Sequence, residues 1–161
     1  MRSEELLEKK DLRDGMVDKI SVLNKVKGLL LLPNTEYATT EQVAGYYKVG
    51  KEAVSSLIHD NREEIESDGY KVVKGKEIVK SYVIPFKSFT SDRANYKFIL
   101  QDGKVLSVGG KGISLFPKRA ILRVGMLLRD SEVAKEIRTQ LLNLEEKTTE
   151  EQKVIEIEEK R

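Results

Sequence analysis

The chain has 161 residues, 39% hydrophobic and 35% charged, which is enough apolar material for an ordinary globular core under a well-solvated surface. It has no Cys and a single His, which excludes disulfides, thiolate metal sites and any His-based triad or metal cluster. The net charge of +2 hides a strong segregation along the chain. Residues 1–70 carry ten Lys/Arg against fourteen Asp/Glu, residues 71–129 thirteen against three, and residues 130–161 six against ten. A basic middle between acidic ends either presents a positive face to a polyanion or spreads lysines over hairpin surfaces. The first thirteen residues are charged throughout and the longest apolar run is only Leu29 to Leu32, so a cytoplasmic protein without membrane contact is expected.

Residues 1–13 offer only Leu6, Leu7 and Leu12 for burial and read as a loose or short helix. Asp14 can cap a helix from Gly15 to about Gly28, since Met16, Ile20, Leu23 and Val26 fall on one face. Pro33-Asn34 stops the apolar run that follows. Thr39 followed by Gln42 is a capping-box pattern, so a helix starts there and runs through Tyr46 and Tyr47 until Val49-Gly50 breaks it. A second helix is expected from Lys51 to about Ile65, ending at the turn Ser67-Asp68-Gly69.

Beyond Gly69 the period shortens. Tyr70 to Val73 predicts a short strand, Lys76 to Tyr82 fits a helical turn or a strand, and Lys87 to Asn95 reads as a connecting loop. Tyr96–Leu100 and Lys104–Val108 flank Gln101-Asp102-Gly103, a hairpin signal. Gly109 to Gly112 then turns into Ile113–Phe116, completing an antiparallel meander. Pro117 opens a helix carrying Ala120, Ile121, Val124 and Met126. Asp130 or Ser131 caps a last helix with Val133, Ala134, Ile137, Leu141, Leu142 and Leu144 on its apolar face. After Glu145 the chain is a charged tail, a helical extension or an oligomer seam.

Thr39 to Asn61 has the make-up of a DNA-reading helix-turn-helix. Ala44 is the small residue at which a second helix can pack closely, with Val43 and Tyr47 beside it, and Val49 can fill the corner. Val54, Leu57 and Ile58 supply the inner face of the second helix. Lys51, Glu52, Ser55, Ser56, His59 and Arg62 are left on its outer face, where short polar and basic side chains can reach phosphates and base edges. Many such motifs close the first helix on Gly; here Lys48 stands at that place. The fold class expected is α+β, a winged-helix-like domain with a small antiparallel meander and two C-terminal helices. Its segments are 1–13, a helix-turn-helix region 14–90, the meander with the helical pair 91–144, and the tail 145–161. The DNA-contacting set comprises Thr40, Lys48, Lys51, Ser55, Ser56, His59 and Arg62, with Lys71, Lys74, Lys76 and Lys111 on the hairpins and Lys118, Arg119 and Arg123 on the later helix.

Thr39-Thr40-Glu41-Gln42-Val43-Ala44-Gly45-Tyr46-Tyr47, Lys51 to Asn61 and Asp68-Gly69-Tyr70 resemble the DNA-binding domain of phage antirepressor-type proteins, the Bro-N/KilA-N-like group. Ser114 to Leu122 and Leu128 to Arg138 are similar to that group's closing strand and helix pair. Leu29–Pro33 and Gly125–Asn143 resemble DNA-binding proteins of Firmicute phages and plasmids. The resemblance spans roughly Leu29 to Asn143. It implies sequence-specific binding to double-stranded DNA and transcriptional control rather than a reaction, with no catalytic residue, metal or cofactor. Members often carry a further C-terminal domain; residues 145–161 here read as a short charged tail.

The run Val108-Gly109-Gly110-Lys111-Gly112 lacks the Gly-Lys-Ser/Thr ending of a phosphate loop and reads as a turn. The carboxylates fall mostly on solvated helix faces. A homodimer is expected on a two-fold DNA site, seamed by the N-terminal helix or the tail from Leu141, with a protein partner possible through the C-terminal helices. The rival function is a phage-type interaction module that binds and inhibits a host protein without DNA.

Overall fold

In a computed structural model, the backbone of residues 2–159 and the side chains of residues 4–146 are described. The expected helix from Gly15 to Gly28 is two helices, α2 (Lys10–Met16) and α3 (Ser21–Val26), preceded by α1 (Arg2–Glu8). Asp14 caps neither. Its carboxylate accepts from Lys10 Nζ at 2.8 Å and Arg123 Nη1 at 2.7 Å, so it is unavailable to helix-end amides.

After the short strand β1 (Tyr37–Ala38) comes α4 (Thr40–Tyr47), whose N-terminus is the predicted capping box. Thr39 Oγ1 accepts from Gln42 N at 3.2 Å, and Gln42 Oε1 accepts from Thr39 N at 2.9 Å. Its C-terminus is the finding that sequence left unsettled. Lys48 itself takes the left-handed conformation, φ 56°, while Gly50 is extended. Lys48 N donates to Gly45 O at 3.3 Å and Val49 N to Ala44 O at 3.0 Å, the paired bonds of a glycine-type helix stop made by a lysine. Lys48→Gly is therefore expected to raise the urea midpoint, by about 0.5–1 kcal/mol in unfolding free energy, because a Cβ is strained at this φ.

The second helix is also shorter than expected. It divides at Asn61 into α5 (Lys51–Asp60) and α6 (Arg62–Ser67); Asn61 has φ −129°, and its side-chain amide donates to Leu57 O at 3.0 Å. Beyond β2 (Lys71–Val73), the ambiguous stretch is a helix, α7 (Gly75–Ser81), which buries Gly75 and Ile78. The expected loop from Lys87 to Asn95 is mostly the strand β3 (Phe86–Asp92), so the segment boundary expected at 90/91 falls inside it. Its Ser and Thr residues hide the alternation. What makes it a strand is backbone pairing with β4 (Asn95–Leu100), from Phe86↔Leu100 to Asp92↔Asn95 with a bulge near Lys87.

The meander also differs from expectation. Strands β4 and β5 (Val105–Val108) form the predicted hairpin, but β6 (Ile113–Pro117) leaves it. Two antiparallel sheets result, ordered β3-β4-β5 and β1-β6-β2, with Tyr37 opposite Pro117 and Lys71 opposite Leu115. Pro117 ends β6 and flanks α8 (Lys118–Leu127), rather than occupying that helix's first position. Ser131 begins α9 (Glu132–Glu159), its Oγ accepting from Ala134 N at 3.1 Å. The tail expectation falls on the later part of α9, whose side chains beyond residue 146 lie outside those described.

The fold is α+β with two cores that meet along β6. Phe116 enters a helical core with Leu6, Leu23, Tyr47, Val54, Ile121 and Ile137. Its neighbour Leu115 enters a smaller core with Val73, Ile78, Ile84, Phe98 and Val108. Alternation along one strand thus fastens residues 74–112, an excursion between paired β2 and β6, to the helical body. Among the described residues no helix is long and apolar enough to cross a membrane.

Candidate nucleic-acid interface

The inner side of α4 is held by several independent contacts. Tyr47 Oη donates to Ile121 O at 2.6 Å, Ser131 Oγ donates to Tyr47 O at 2.7 Å, and Tyr46 Oη donates to Leu23 O. Lys27 Nζ donates to Gly45 O and Tyr46 O at 3.2 and 3.1 Å, satisfying carbonyls at the helix end. Burial pushes the Tyr47 phenol well above its ordinary pKa and that of Tyr46 up to about 12, so both remain neutral donors.

Helix α5 packs on this anchored helix through buried Val54, Leu57 and Ile58. Its other side chains, Lys51, Glu52, Ala53, Ser55, Ser56, His59 and Asp60, are all exposed. Lys51 Nζ lies 3.3 Å from Glu41 Oε1, tying the start of α5 to that of α4. His59 Nδ1 is 3.5 Å from Asp60 Oδ1, and Arg62 Nη1 is 3.3 Å from Glu66 Oε1. Thr40 is half-buried at the start of α4 and Lys48 is exposed in the turn. The outer face is therefore small and polar along Ala53, Ser55 and Ser56, with both signs of charge around it.

The positive charge lies elsewhere. Lys71, Lys74, Lys76, Lys80, Lys87, Arg93, Lys97, Lys104 and Lys111 are all exposed, and none makes an ion pair among the described residues. Only Glu77, Asp92 and Asp102 offset them between residues 71 and 112. Lys71 Nζ also lies 5.1 Å from the Tyr37 ring centroid, a cation–π contact. Sequence reasoning named four of these cations. Lys80, Lys87, Lys97 and Lys104 entered it only as part of the basic stretch from 71 to 111, and Arg93 only in the charge count.

Helix α8 corrects the expected set. Arg123 is 2% exposed and cannot reach a phosphate. It donates through Nε to Asp68 Oδ2 at 2.6 Å and through Nη1 to Asp14 Oδ1 at 2.7 Å and Glu64 Oε1 at 2.8 Å. Burial disfavours its charge, but the hydrogen bonds to Asp68 and Asp14 outweigh that and hold its pKa above the ordinary value. Glu64 is shared with buried Arg13, whose Nε donates to it at 2.6 Å. Arg119 pairs with Asp18 and sits 3.8 Å from Asp68, and Lys118 sits 3.1 Å from Glu36. One-turn spacing does place Arg119 and Arg123 on one side of α8. That side meets the carboxylates of α2 and α6, which periodicity cannot show.

Two open grooves of about 540 and 670 Å³ flank the β4–β5 hairpin, and the larger reaches Lys27, Leu30 and Gln42. Among the described residues no group of three or more His, Cys, Asp or Glu is placed to hold a metal ion. No family model matches the chain, and no curated protein or solved structure is significantly similar to it.

Proposed function

We propose that the protein binds double-stranded DNA sequence-specifically as a winged-helix-type transcriptional regulator of a phage or mobile element, with α5 as the reading helix. The observation that carries this is the exposed α5 face, with Ser55 and Ser56 at its centre, on a pair of helices anchored from behind. A winged helix places a short strand before the first helix of the pair and a hairpin after the second. The order β1-β6-β2, with β1 before α4 and β2–β6 after α6, supports that reading, and residues 74–112 would then be an enlarged wing. Small side chains let a helix settle into the major groove, while Ser, Lys and Glu can pair with base edges. The unpaired lysines of the wing would supply sequence-independent attraction to phosphates. The resemblance to antirepressor-type domains points the same way, and such a regulator would bind as a dimer on a two-fold site.

Two measurements test it. Duplex affinity should fall on a log–log salt plot with slope of about −0.9 per phosphate contact, and changing Lys71, Lys74, Lys76 and Lys111 to Gln should flatten that slope without altering site preference. Changing Lys51, Ser55 and Ser56 together to Ala should bring specific affinity down to the non-specific level, with a loss of about 1–3 kcal/mol for each base pair no longer read. Specific binding that survives the triple change would remove α5 as the reader. An absence of binding to any genomic fragment at low salt would favour a host-protein inhibitor instead.

A further inference from the structure

Five of the ten aromatic residues lie between positions 82 and 98, and they are not all interior. Tyr82 stacks on Phe86 with centroids 4.7 Å apart and planes 5° from parallel; Phe86 meets Phe89 edge-on at 5.7 Å. Phe98 and Tyr96 back this row from β4. Phe98 is buried, whereas Tyr82 is 60% and Phe89 40% exposed. A stack with an exposed ring at its end covers only one face of that ring.

Tyr82 is also held where an aromatic residue is disfavoured. It ends α7 at φ 53°, a left-handed position that Gly or Asn fills with less strain. As at Lys48, the left-handed residue is a helix stop, here with Tyr82 N donating to Ile78 O at 2.9 Å, and it fixes where the mostly exposed ring stands. Two lysines flank the row in the chain, Lys80 two residues before Tyr82 and Lys87 next to Phe86, whereas Lys97, opposite Thr90 and adjacent to Phe98, alternates to the other face of the sheet. Lys80 and Lys87 are exposed and without an ion pair among the described residues.

We propose that the Tyr82–Phe86–Phe89 row is a stacking platform for the unpaired bases of a single-stranded polynucleotide, with Lys80 and Lys87 receiving its phosphates. Flat rings fit bases of any sequence, and uncompensated lysines beside them fit the backbone. An apolar protein partner would use the rings but has no need of the cations. The platform is separate from α5 and does not depend on the duplex reading.

The test uses the full chain and a short oligothymidylate at low salt. The protein has no Trp and six Tyr, so stacking on Tyr82 should quench tyrosine emission on binding. The double change Tyr82→Asn, Phe89→Ser should weaken oligothymidylate binding about tenfold or more and abolish most of the quench. Asn suits the left-handed position, and an unchanged urea midpoint would show the fold intact. Tyr82→Phe should retain affinity. The Lys51, Ser55, Ser56 triple variant should bind oligothymidylate like the wild type even where its duplex specificity is gone. Failure of the wild type to bind, or full binding by the double variant, would overturn the platform. Loss of binding in the triple variant would also overturn it, by assigning the oligonucleotide to α5.

Discussion

Replacing Arg123 by Leu is expected to lower the unfolding free energy by about 3–5 kcal/mol, read as a large drop in urea midpoint. The loss comes less from the ion pairs themselves than from the charges left behind. Asp68 and Glu64 are buried, and without Arg123 the one cation left to Asp68 among the described residues is the more distant, half-exposed Arg119. Glu64 keeps Arg13, so the two carboxylates are not equally stranded. The double variant Arg123→Leu, Asp68→Leu should therefore recover a substantial part of the loss, because removing both members of a buried pair is far milder than removing one. If the single change costs no more than a surface substitution, the network does not hold α2, α6 and α8 together. The same network sets an acid limit. The Lys10 ammonium first, and Arg123 second, hold the Asp14 carboxyl below its ordinary value of 3.8. A depressed carboxyl adds stability that is complete above the unfolded value and is lost as pH falls through the lower folded one. Thermal unfolding should accordingly be independent of this group near neutrality and fall below about pH 4. Asp14→Asn should blunt that fall.

Gly125→Ala is the second large effect, at about 3 kcal/mol of destabilisation. A Cβ at Gly125 would overlap Tyr47 Oη and come within 3.0 Å of Tyr47 Cε1 and Cζ. Tyr47 is completely buried, and Oη is bonded to Ile121 O at 2.6 Å, so the ring cannot shift without losing that bond. The clash falls on the contact that fixes α4 against α8, and hence on the base from which α5 projects. Tyr47→Phe removes the worst overlap. Gly125→Ala should cost less in that background, and a double-mutant cycle gives the coupling directly. Additive effects would mean that the close approach of α4 to α8 is not rigid. Loss of duplex specificity in Gly125→Ala at temperatures where the chain is still folded would tie that approach to the placement of α5.

Where local chemistry was decisive, the sequence determined the outcome. The capping box at Thr39, the hairpin around Asp102-Gly103 and the cap at Ser131 rest on contacts within a few residues, and the helical period alone put Val54, Leu57 and Ile58 on one face. Each formed as the residue pattern required. The turn after α4 was also marked, although its left-handed residue is Lys48 rather than a glycine.

Tertiary structure decided what depended on distant partners. Strand β3 exists because β4 pairs with it, not because its residues alternate cleanly. Strand β6 joins β1 and β2 instead of the adjacent hairpin, since Leu115 and Phe116 each find a separate core there. Arg123 is interior because three carboxylates, Asp14 in α2, Glu64 in α6 and Asp68 just after α6, converge on it, whereas the lysines of residues 71–111 have no ion-pair partner among the described residues and stay at the surface. Sequence supplied the basic stretch as a count of charges. Only the fold separated the cations consumed in building the molecule from those left exposed, because a charge's role is set by the sign and distance of what packs against it.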